Sequence, residues 1–106
     1  MGMNFSHCDA HWSYGGFIHF RARLAAEIGV TLADIAWDKV DDTIVPLLDH
    51  SDCEGELTPN ECQRIAPRLR ELVARWPKGD FDRDQAERLA SGMEFANKNN
   101  EPLEFR

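Results

Sequence analysis

The sequence predicts a mainly α-helical fold, a compact small bundle of about four helices in a single domain over residues 1–106. Apolar residues recur at spacings of three and four in the patterned segments, as they do on the buried face of a helix. Residues that start or stop helices stand at the ends of these segments. The length of 106 residues, with 42% hydrophobic and 29% charged residues, is typical of one globular domain.

The first two helices are predicted in the N-terminal half. The first helix has its apolar positions at Phe17, Phe20, Leu24 and Ile28. Gly29 follows them and is expected to end this helix. A short second helix through Ile35–Trp37 is indicated by Thr31 and Asp34, which resemble a capping box. The segment Asp42–Leu48 contains Pro46, which is tolerated only in a first helical turn, so we expect a short helix or a bent connector there.

The third helix has the clearest start signal in the sequence. Thr58 precedes Pro59 and is followed at the third position by Glu61, a pattern that satisfies free backbone donors at a helix start. The apolar face then follows as Cys62, Ile65, Leu69, Leu72 and Trp76. Pro67 lies inside this pattern, where it removes one backbone hydrogen bond and is expected to kink the helix.

A fourth helix and a short strand are predicted at the C-terminal end. We expect Asp82 to precede the helix, which should end before Asn97. Its inner face would consist of Ala86, Leu89, Ala90, Met93 and Ala96. The tail Pro102–Arg106 alternates weakly, which is compatible with a strand beside Met3–Phe5 and thus with a short β pairing of the N- and C-terminal segments.

Composition excludes several classes of protein. Three cysteines are too few for a disulfide scaffold, so we expect reduced thiols. No apolar run approaches the roughly 20 residues that cross a bilayer, and the first residues lack the pattern of a signal peptide. The net charge of -7 argues against general nucleic-acid binding, which needs a surplus of basic residues. We therefore expect a cytoplasmic protein with no membrane partner.

The negative charge is concentrated in one quarter of the chain. Residues 34–61 contain nine acidic residues and one basic residue, whereas the remainder contains ten acidic and eleven basic residues. Carboxylates at helix starts and solubility explain part of this distribution. A cation or a basic partner is the alternative explanation.

The acidic segment resembles an EF-hand calcium loop. In LLDHSDCEGELTPNECQRI, Gly55 matches the glycine at which such a loop turns sharply, and Glu61 matches the bidentate ligand six residues later. The resemblance implies a divalent-cation site, with Ca²⁺ as the cofactor. Its candidate ligands are Asp49, Asp52, Glu54, Glu56, Thr58 and Glu61.

Two departures from the EF-hand pattern favour another interpretation. The first ligand position falls on His50, whose nitrogen suits a hard cation poorly, while Asp49 stands one residue early. The alternative is an acidic turn in which Thr58 and Glu61 only cap the third helix. Both interpretations remain open at the level of the sequence.

The N-terminal stretch SHCDAHWSYGGFIHFR is rich in histidine and aromatic residues. His7, Cys8 and His11 predict one kind of site, a zinc or iron centre, and with it a metal-dependent hydrolase. The stretch lacks a paired Cys-x-x-Cys or a His-Glu-x-x-His motif. No residue of the chain is assigned a catalytic role, because Cys8 near His11 or Ser13 would need a third orienting group and an oxyanion pocket, which the sequence does not show.

The same stretch also predicts a ligand-binding surface. Gly15 and Gly16, expected just before the first helix, would let the backbone approach an anion, while the helix dipole and either Arg21 or Arg23 would attract it. Trp12 and Tyr14 offer flat rings on which a base could stack. The candidate ligand-binding residues are His11, Trp12, Tyr14, Gly15, Gly16 and Arg21. In the alternative interpretation, Trp12 and Tyr14 belong to the core and the glycines form a turn.

The segments HWSYGGF, PLLDHSDCEGELTP and EPLEFR resemble a group of small uncharacterised proteins of actinomycete bacteria and their viruses. The resemblance implies a setting in which small acidic proteins act as inhibitors or as sequestering counter-defence proteins of a phage. A resemblance of this kind does not by itself define a function.

These patterns together favour a non-catalytic binding or regulatory module. It would capture a partner protein or a small, anionic, nucleotide-like ligand through the aromatic N-terminal stretch. A calcium-binding protein and a metal-dependent hydrolase are the two alternatives. The sequence does not define the oligomeric state.

Overall fold

The computed structural model describes residues 2–31, 39–48 and 55–106. The helices are α1 (Tyr14–Glu27), α2 (Val45–Leu48), α3 (Pro59–Val73) and α4 (Phe81–Lys98). The strands are β1 (Gly2–Asn4), β2 (His11–Ser13), β3 (Gly55–Leu57) and β4 (Leu103–Phe105). The mainly α-helical prediction is confirmed, whereas a regular four-helix bundle is not, because α2 is a single turn. The short helix predicted at Ile35–Trp37 lies outside the described residues.

The described residues form two antiparallel strand pairs, one local and one between distant parts of the chain. β1 pairs with β2, and β3 pairs with β4. The predicted tail strand therefore forms, with β3 as its main partner. Phe5 and Phe105 add an isolated antiparallel bridge, and Asn4 and Arg106 exchange backbone hydrogen bonds of 2.9 and 2.7 Å. The expected pairing of the N- and C-terminal segments is thus present as a bridge beside β4.

Helix α1 begins earlier than its apolar pattern indicated. Ser13 is the N-cap, and its hydroxyl accepts a hydrogen bond of 2.9 Å from the Gly16 amide. Gly15 and Gly16 therefore lie in the first helical turn and do not precede the helix, contrary to the sequence analysis. The helix ends as expected before Gly29, whose φ of +80° is the left-handed conformation that favours glycine.

The starts of α3 and α4 follow the expected capping chemistry. Thr58 and Glu61 form the predicted capping box, and α3 continues through Pro67. In α4 the N-cap is Asp80, two residues before the predicted Asp82, because the Asp80 carboxylate accepts from the Arg83 amide at 3.1 Å. Asp82 instead lies buried in the first turn. The helix also extends one residue past Asn97, to Lys98.

The core forms where α3 packs along α4 and where α1 and the β strands cover them. The predicted inner faces of α3 and α4 are buried throughout. An aromatic cluster adds to this core, four of its rings coming from the N-terminal half and two from the C-terminal half. Its connected rings are Phe5, Trp12, Phe17, Phe20, Trp76 and Phe105. Among the described helices, none is both long and apolar enough to cross a bilayer.

Candidate functional site

Trp12, the main aromatic residue of the predicted ligand-binding surface, lies in the core. Only 1% of its surface is exposed. One face of the indole stacks on Phe20 with centroids 4.5 Å apart, and Phe5 approaches at 6.0 Å in an edge contact. The indole N–H donates a 3.0 Å hydrogen bond to Asp82. Trp12 therefore offers no ring face to a ligand and belongs to the core, as the alternative interpretation held.

The other predicted ligand-binding residues have different surroundings. Arg21 is buried, with its guanidinium carbon 5.2 Å from the Phe17 ring centroid, and its Nη1 donates to the Leu48 carbonyl. Tyr14 is half exposed at the start of α1. Gly16 has no side chain, and the Ser13 hydroxyl lies where one would be: a Cβ at Gly16 would be only 2.8 Å from the Ser13 oxygen. Within the described residues, this stretch caps helix α1 and contributes buried side chains to the core.

The two histidines of the predicted metal centre have different partners. His7, at a φ of +68°, bonds Ser6 through Nδ1 at 2.7 Å and Glu101 through Nε2 at 3.0 Å. His11 Nδ1 bonds the Asn4 side-chain oxygen at 2.9 Å. Burial raises the pKa of the Cys8 thiol. In the described part of the chain, no group of three or more His, Cys, Asp or Glu side chains is arranged to hold a metal ion.

Ser6, His7 and Glu101 are connected in the order of a catalytic triad. The Ser6 hydroxyl, however, is buried and also accepts a 2.8 Å hydrogen bond from the Glu104 amide. The Ser6 amide in turn donates to the Glu104 carbonyl at 2.9 Å. The hydroxyl is therefore already engaged by the backbone beside β4. These contacts make the group a connection between the N- and C-terminal segments.

A partly buried ion-pair cluster, which sequence reasoning did not identify, joins α1 to the start of α4. Arg23 donates to Asp82 at 2.7 Å and to Asp80 at 3.1 and 3.2 Å, and its guanidinium carbon lies 3.8 Å from the Trp76 ring centroid. Partial burial lowers the pKa of Arg23, but the hydrogen bonds to both carboxylates outweigh it and the net pKa is raised. The Arg23 guanidinium also lowers the pKa of Asp80. The only sequence signal was two acidic residues at a helix start.

The acidic segment is described only in part. Asp49, Asp52 and Glu54 lie outside the described residues. Gly55, which the EF-hand pattern predicts at a sharp turn, is instead the first residue of β3, where it has a φ of +118°, and the exposed Glu56 follows it in the same strand. The Glu61 carboxylate accepts from the Thr58 amide at 2.9 Å, while the Thr58 hydroxyl accepts from the Glu61 amide at 3.2 Å.

Two glutamates face each other across the β3–β4 pair. Glu56 and Glu104 are directly opposite in register, and both are exposed. Like charges at opposite positions of an antiparallel pair are destabilising. Arg106 bonds Glu104 at 3.1 Å and offsets part of this repulsion.

A groove of about 310 Å³ lies between α2 and the start of α3. Its lining consists of Asp41, Asp42, Thr43, Val45, Pro46, Glu61 and Arg64. A shallower depression beside it is lined by Asn60, Gln63 and Arg64. The groove therefore combines an apolar wall from α2 with carboxylates from both sides, and among the lining residues that the structure describes Arg64 is the one cation.

One groove carboxylate already binds an arginine of the same chain. Arg68 Nε and Nη2 contact both oxygens of Asp42 at 2.8–3.2 Å, and Arg68 also contacts Glu71. Burial raises the pKa of Asp42, but the Arg68 hydrogen bonds and the Ile44 amide outweigh it and the net pKa is lowered. The hydrogen bonds to Asp42 and Glu71 raise the pKa of Arg68. The Asp42 carboxylate is therefore already neutralised within the chain, which leaves Asp41 and Glu61 as the other carboxylates of the groove.

Comparison with known proteins assigns the chain to no family. No protein-family model, curated protein or solved structure matches it.

Proposed function

We propose that this chain is a non-catalytic binding module that captures a partner protein by receiving one of the partner's basic side chains in the groove between α2 and α3. The observation that carries the proposal is the combination of apolar wall and carboxylates in that groove. Stoichiometric capture is also the mode that the resemblance to small proteins of actinomycete viruses implies.

The groove matches the two chemical parts of an arginine or lysine side chain. Val45 and Pro46 provide apolar surface for the methylene stem, which such side chains bury while the charged head stays in a polar environment. Asp41 and Glu61 provide carboxylates for the head. Bidentate contact with a carboxylate favours arginine over lysine.

The surrounding charge supports a basic partner. The chain carries a net charge of -7, and Glu56 and Glu104 repel each other on the nearby strand pair. A basic surface that approaches them would relieve this repulsion. Complementary charge also accelerates the encounter of two proteins, and the acceleration falls with salt.

Replacement of Arg64 distinguishes a cationic occupant of the groove from an anionic one. It is exposed and lines both the groove and the depression beside it. For a cationic occupant Arg64 is a repulsive neighbour, so its replacement by glutamine should tighten binding. For an anionic occupant the same replacement should weaken binding.

The test uses a (Gly-Arg)₄-amide peptide that carries fluorescein on its N-terminal amine, and the same labelled peptide with citrulline in place of arginine is the neutral control. We expect binding of the arginine peptide only, with amide shifts in ¹⁵N spectra at Thr43, Val45 and Arg64. The double variant Asp41→Asn, Glu61→Gln should weaken binding about tenfold. Glutamine at position 61 keeps the capping box, so α3 should remain intact.

Glu87→Gln is the control for non-specific attraction, because it removes a negative charge from the exposed face of α4, away from the groove. It should change the affinity by less than about twofold. Equal losses in the Glu87 variant and in the groove variant, or weaker binding after Arg64→Gln, would contradict the proposal.

A calcium site in the acidic segment is a second candidate, favoured by the positive φ of Gly55 at the start of β3, since the EF-hand pattern requires glycine at this position. Asp49, Asp52, Glu54, Glu56, Thr58 and Glu61 would supply its oxygens. Calorimetric titration with Ca²⁺ alone should then detect a heat of binding, and bound Ca²⁺ should raise the melting temperature. Glu61→Gln should abolish both effects. No response to Ca²⁺, Mg²⁺ or Zn²⁺ would remove this candidate.

A further inference from the structure

We propose that the partner residue received by the groove is a C-terminal arginine, whose guanidinium group contacts Asp41 and Glu61 while its own α-carboxylate binds Arg64 in the depression beside the groove. This inference rests on the proposed function and names the kind of partner segment that the site selects. It is carried by two adjoining surface features of opposite charge and by Arg64, which lines both of them.

The depression beside the groove is lined by side chains that donate hydrogen bonds. Asn60, Gln63 and Arg64 stand at positions i, i+3 and i+4 of α3 and therefore share one side of this helix. Their two amide groups and the guanidinium group all carry N–H donors. Among the described residues that line the depression there is no carboxylate. The depression therefore suits an anion, whereas the groove suits a cation.

Arg64 differs from the other arginines in having no partner within the described part of the chain. Every other arginine donates a hydrogen bond to a side chain or to a backbone carbonyl. Glu61, three residues before Arg64, is instead engaged by the Thr58 amide at 2.9 Å. The exposed Arg64 guanidinium is therefore available to an anion that comes from outside the chain.

The groove and the depression are close enough to be filled by a single residue. Because Arg64 lines both, they lie within the reach of one arginine side chain. A C-terminal arginine carries its guanidinium group and its α-carboxylate at the two ends of a side chain of that same length. Its two opposite charges therefore have the separation that the two features require.

A C-terminal residue also satisfies the site at a lower entropic cost than two neighbouring residues. An arginine followed by an acidic residue presents both charges, but it must order a second flexible side chain on binding. Capture of a terminal carboxylate is a recurrent mode of peptide recognition. The bidentate geometry of a guanidinium group favours arginine over lysine at the other end.

Arg64 gives the site its selectivity for a chain end. An internal arginine brings only a positive charge, which Arg64 repels. A C-terminal arginine brings a carboxylate as well, so that Arg64 becomes an attractive contact. One residue thus disfavours the internal arginine and favours the terminal one, and specificity depends on the difference between the two affinities.

The test uses the peptide Gly-Gly-Gly-Arg with fluorescein on its N-terminal amine, prepared with a free C-terminal carboxylate and as the C-terminal amide. Fluorescence anisotropy of the full chain should show that the free acid binds about tenfold more tightly than the amide. Arg64→Gln should weaken binding of the acid and tighten binding of the amide, which removes the preference. Arg64→Lys, which keeps the charge, should retain part of it.

Lys78→Gln is the matched control. Lys78 is exposed in the turn after α3, at the opposite end of this helix from Arg64, so its replacement removes a positive charge far from the depression. It should change both affinities by less than about twofold and leave their ratio unchanged. The acid peptide with citrulline in place of arginine is the control for the guanidinium group and should bind much more weakly.

The outcomes separate this inference from the proposed function. If the acid and the amide bind equally well, or if Lys78→Gln removes the preference as Arg64→Gln does, the C-terminal arginine is wrong while the groove remains a site for basic side chains. If neither arginine peptide binds, or if the citrulline acid binds as tightly as the arginine acid, the proposed function fails and this inference fails with it.

Discussion

The aromatic N-terminal stretch and the acidic segment are the two most unusual parts of the sequence, and the fold treats them in opposite ways. Trp12 and Phe17 of the first are buried in the core. Asp41 and Glu56 of the second remain exposed on the surface. The difference shows that a high density of aromatic residues indicates burial before it indicates a binding site.

The physical reason is the free energy of transfer from water. A buried tryptophan gains the hydrophobic free energy of a large apolar area and needs only one partner for its N–H. Unpaired carboxylates lose much more by burial than they gain, so they stay at the surface unless a cation accompanies them. Asp82 is buried, and it has both Trp12 and Arg23 as partners.

The largest expected effect is that of Trp12→Ala, which tests whether this residue belongs to the core. It should lower the free energy of unfolding by about 3–5 kcal/mol, because it leaves a cavity beside Phe20. Tyr14→Ala, a change at a half-exposed neighbour, should cost much less. Urea denaturation followed by far-UV circular dichroism measures both. A cost below about 1 kcal/mol for Trp12→Ala would contradict its assignment to the core.

Asp82→Ala should have the next largest effect, about 2–4 kcal/mol, because it leaves the Trp12 N–H and part of Arg23 without their acceptor. Asp84→Ala, two residues further and exposed, provides the control and should change stability by less than about 0.5 kcal/mol. Chemical denaturation of the two variants measures the difference. Similar costs for both would show that the ion-pair cluster does not stabilise the joint between α1 and α4.

Acid should destabilise the protein through Asp42 and Asp80. The pKa of each is lowered in the folded chain below the ordinary value of 3.8. Their contribution to stability is therefore fully present above the unfolded pKa and is lost as the pH falls from about 4 through the folded pKa. Melting temperatures between pH 6 and 2 measure the loss. The double variant Asp42→Asn, Asp80→Asn should show a shallower decline, and an unchanged slope would contradict this origin.

The smallest expected effect belongs to the acidic surface and has the opposite sign. Glu56→Lys should raise the free energy of unfolding by about 0.2–1 kcal/mol, because it places opposite charges across β3 and β4. Glu61→Gln should change it by less than about 0.5 kcal/mol, since glutamine also completes a capping box. Thermal denaturation of both variants at low salt resolves these changes. Destabilisation by Glu56→Lys would contradict repulsion between Glu56 and Glu104.

The local features of the fold were predictable because their causes lie within a few residues. The Thr58–Glu61 capping box, the glycine at position 29 and the buried face of α4 all follow from spacing and capping chemistry. The start of α4 was placed two residues late, because Asp80 and Asp82 are both acceptable caps. Their different roles depend on Arg23, 57 residues earlier than Asp80.

The candidate site was much less predictable. The carboxylates at 41, 42 and 61 were part of an acidic segment in the sequence, but their meeting around Val45 and Pro46 required the packing of α2 against α3. The same holds for the hydrogen bond between Ser6 and Glu104 and for the one between His7 and Glu101. No spacing rule relates residues so far apart along the chain.

The sequence by itself determined the helical class, the positions of α1, α3 and α4 to within a few residues, the capping box of α3 and the apolar faces of these helices, because these features depend on hydrogen bonds and periodicity over a few residues. The tertiary structure decided that Trp12 is core and that Phe81 and Phe95 are surface. Burial depends on which distant elements cover a side chain, and only the packed chain defines them.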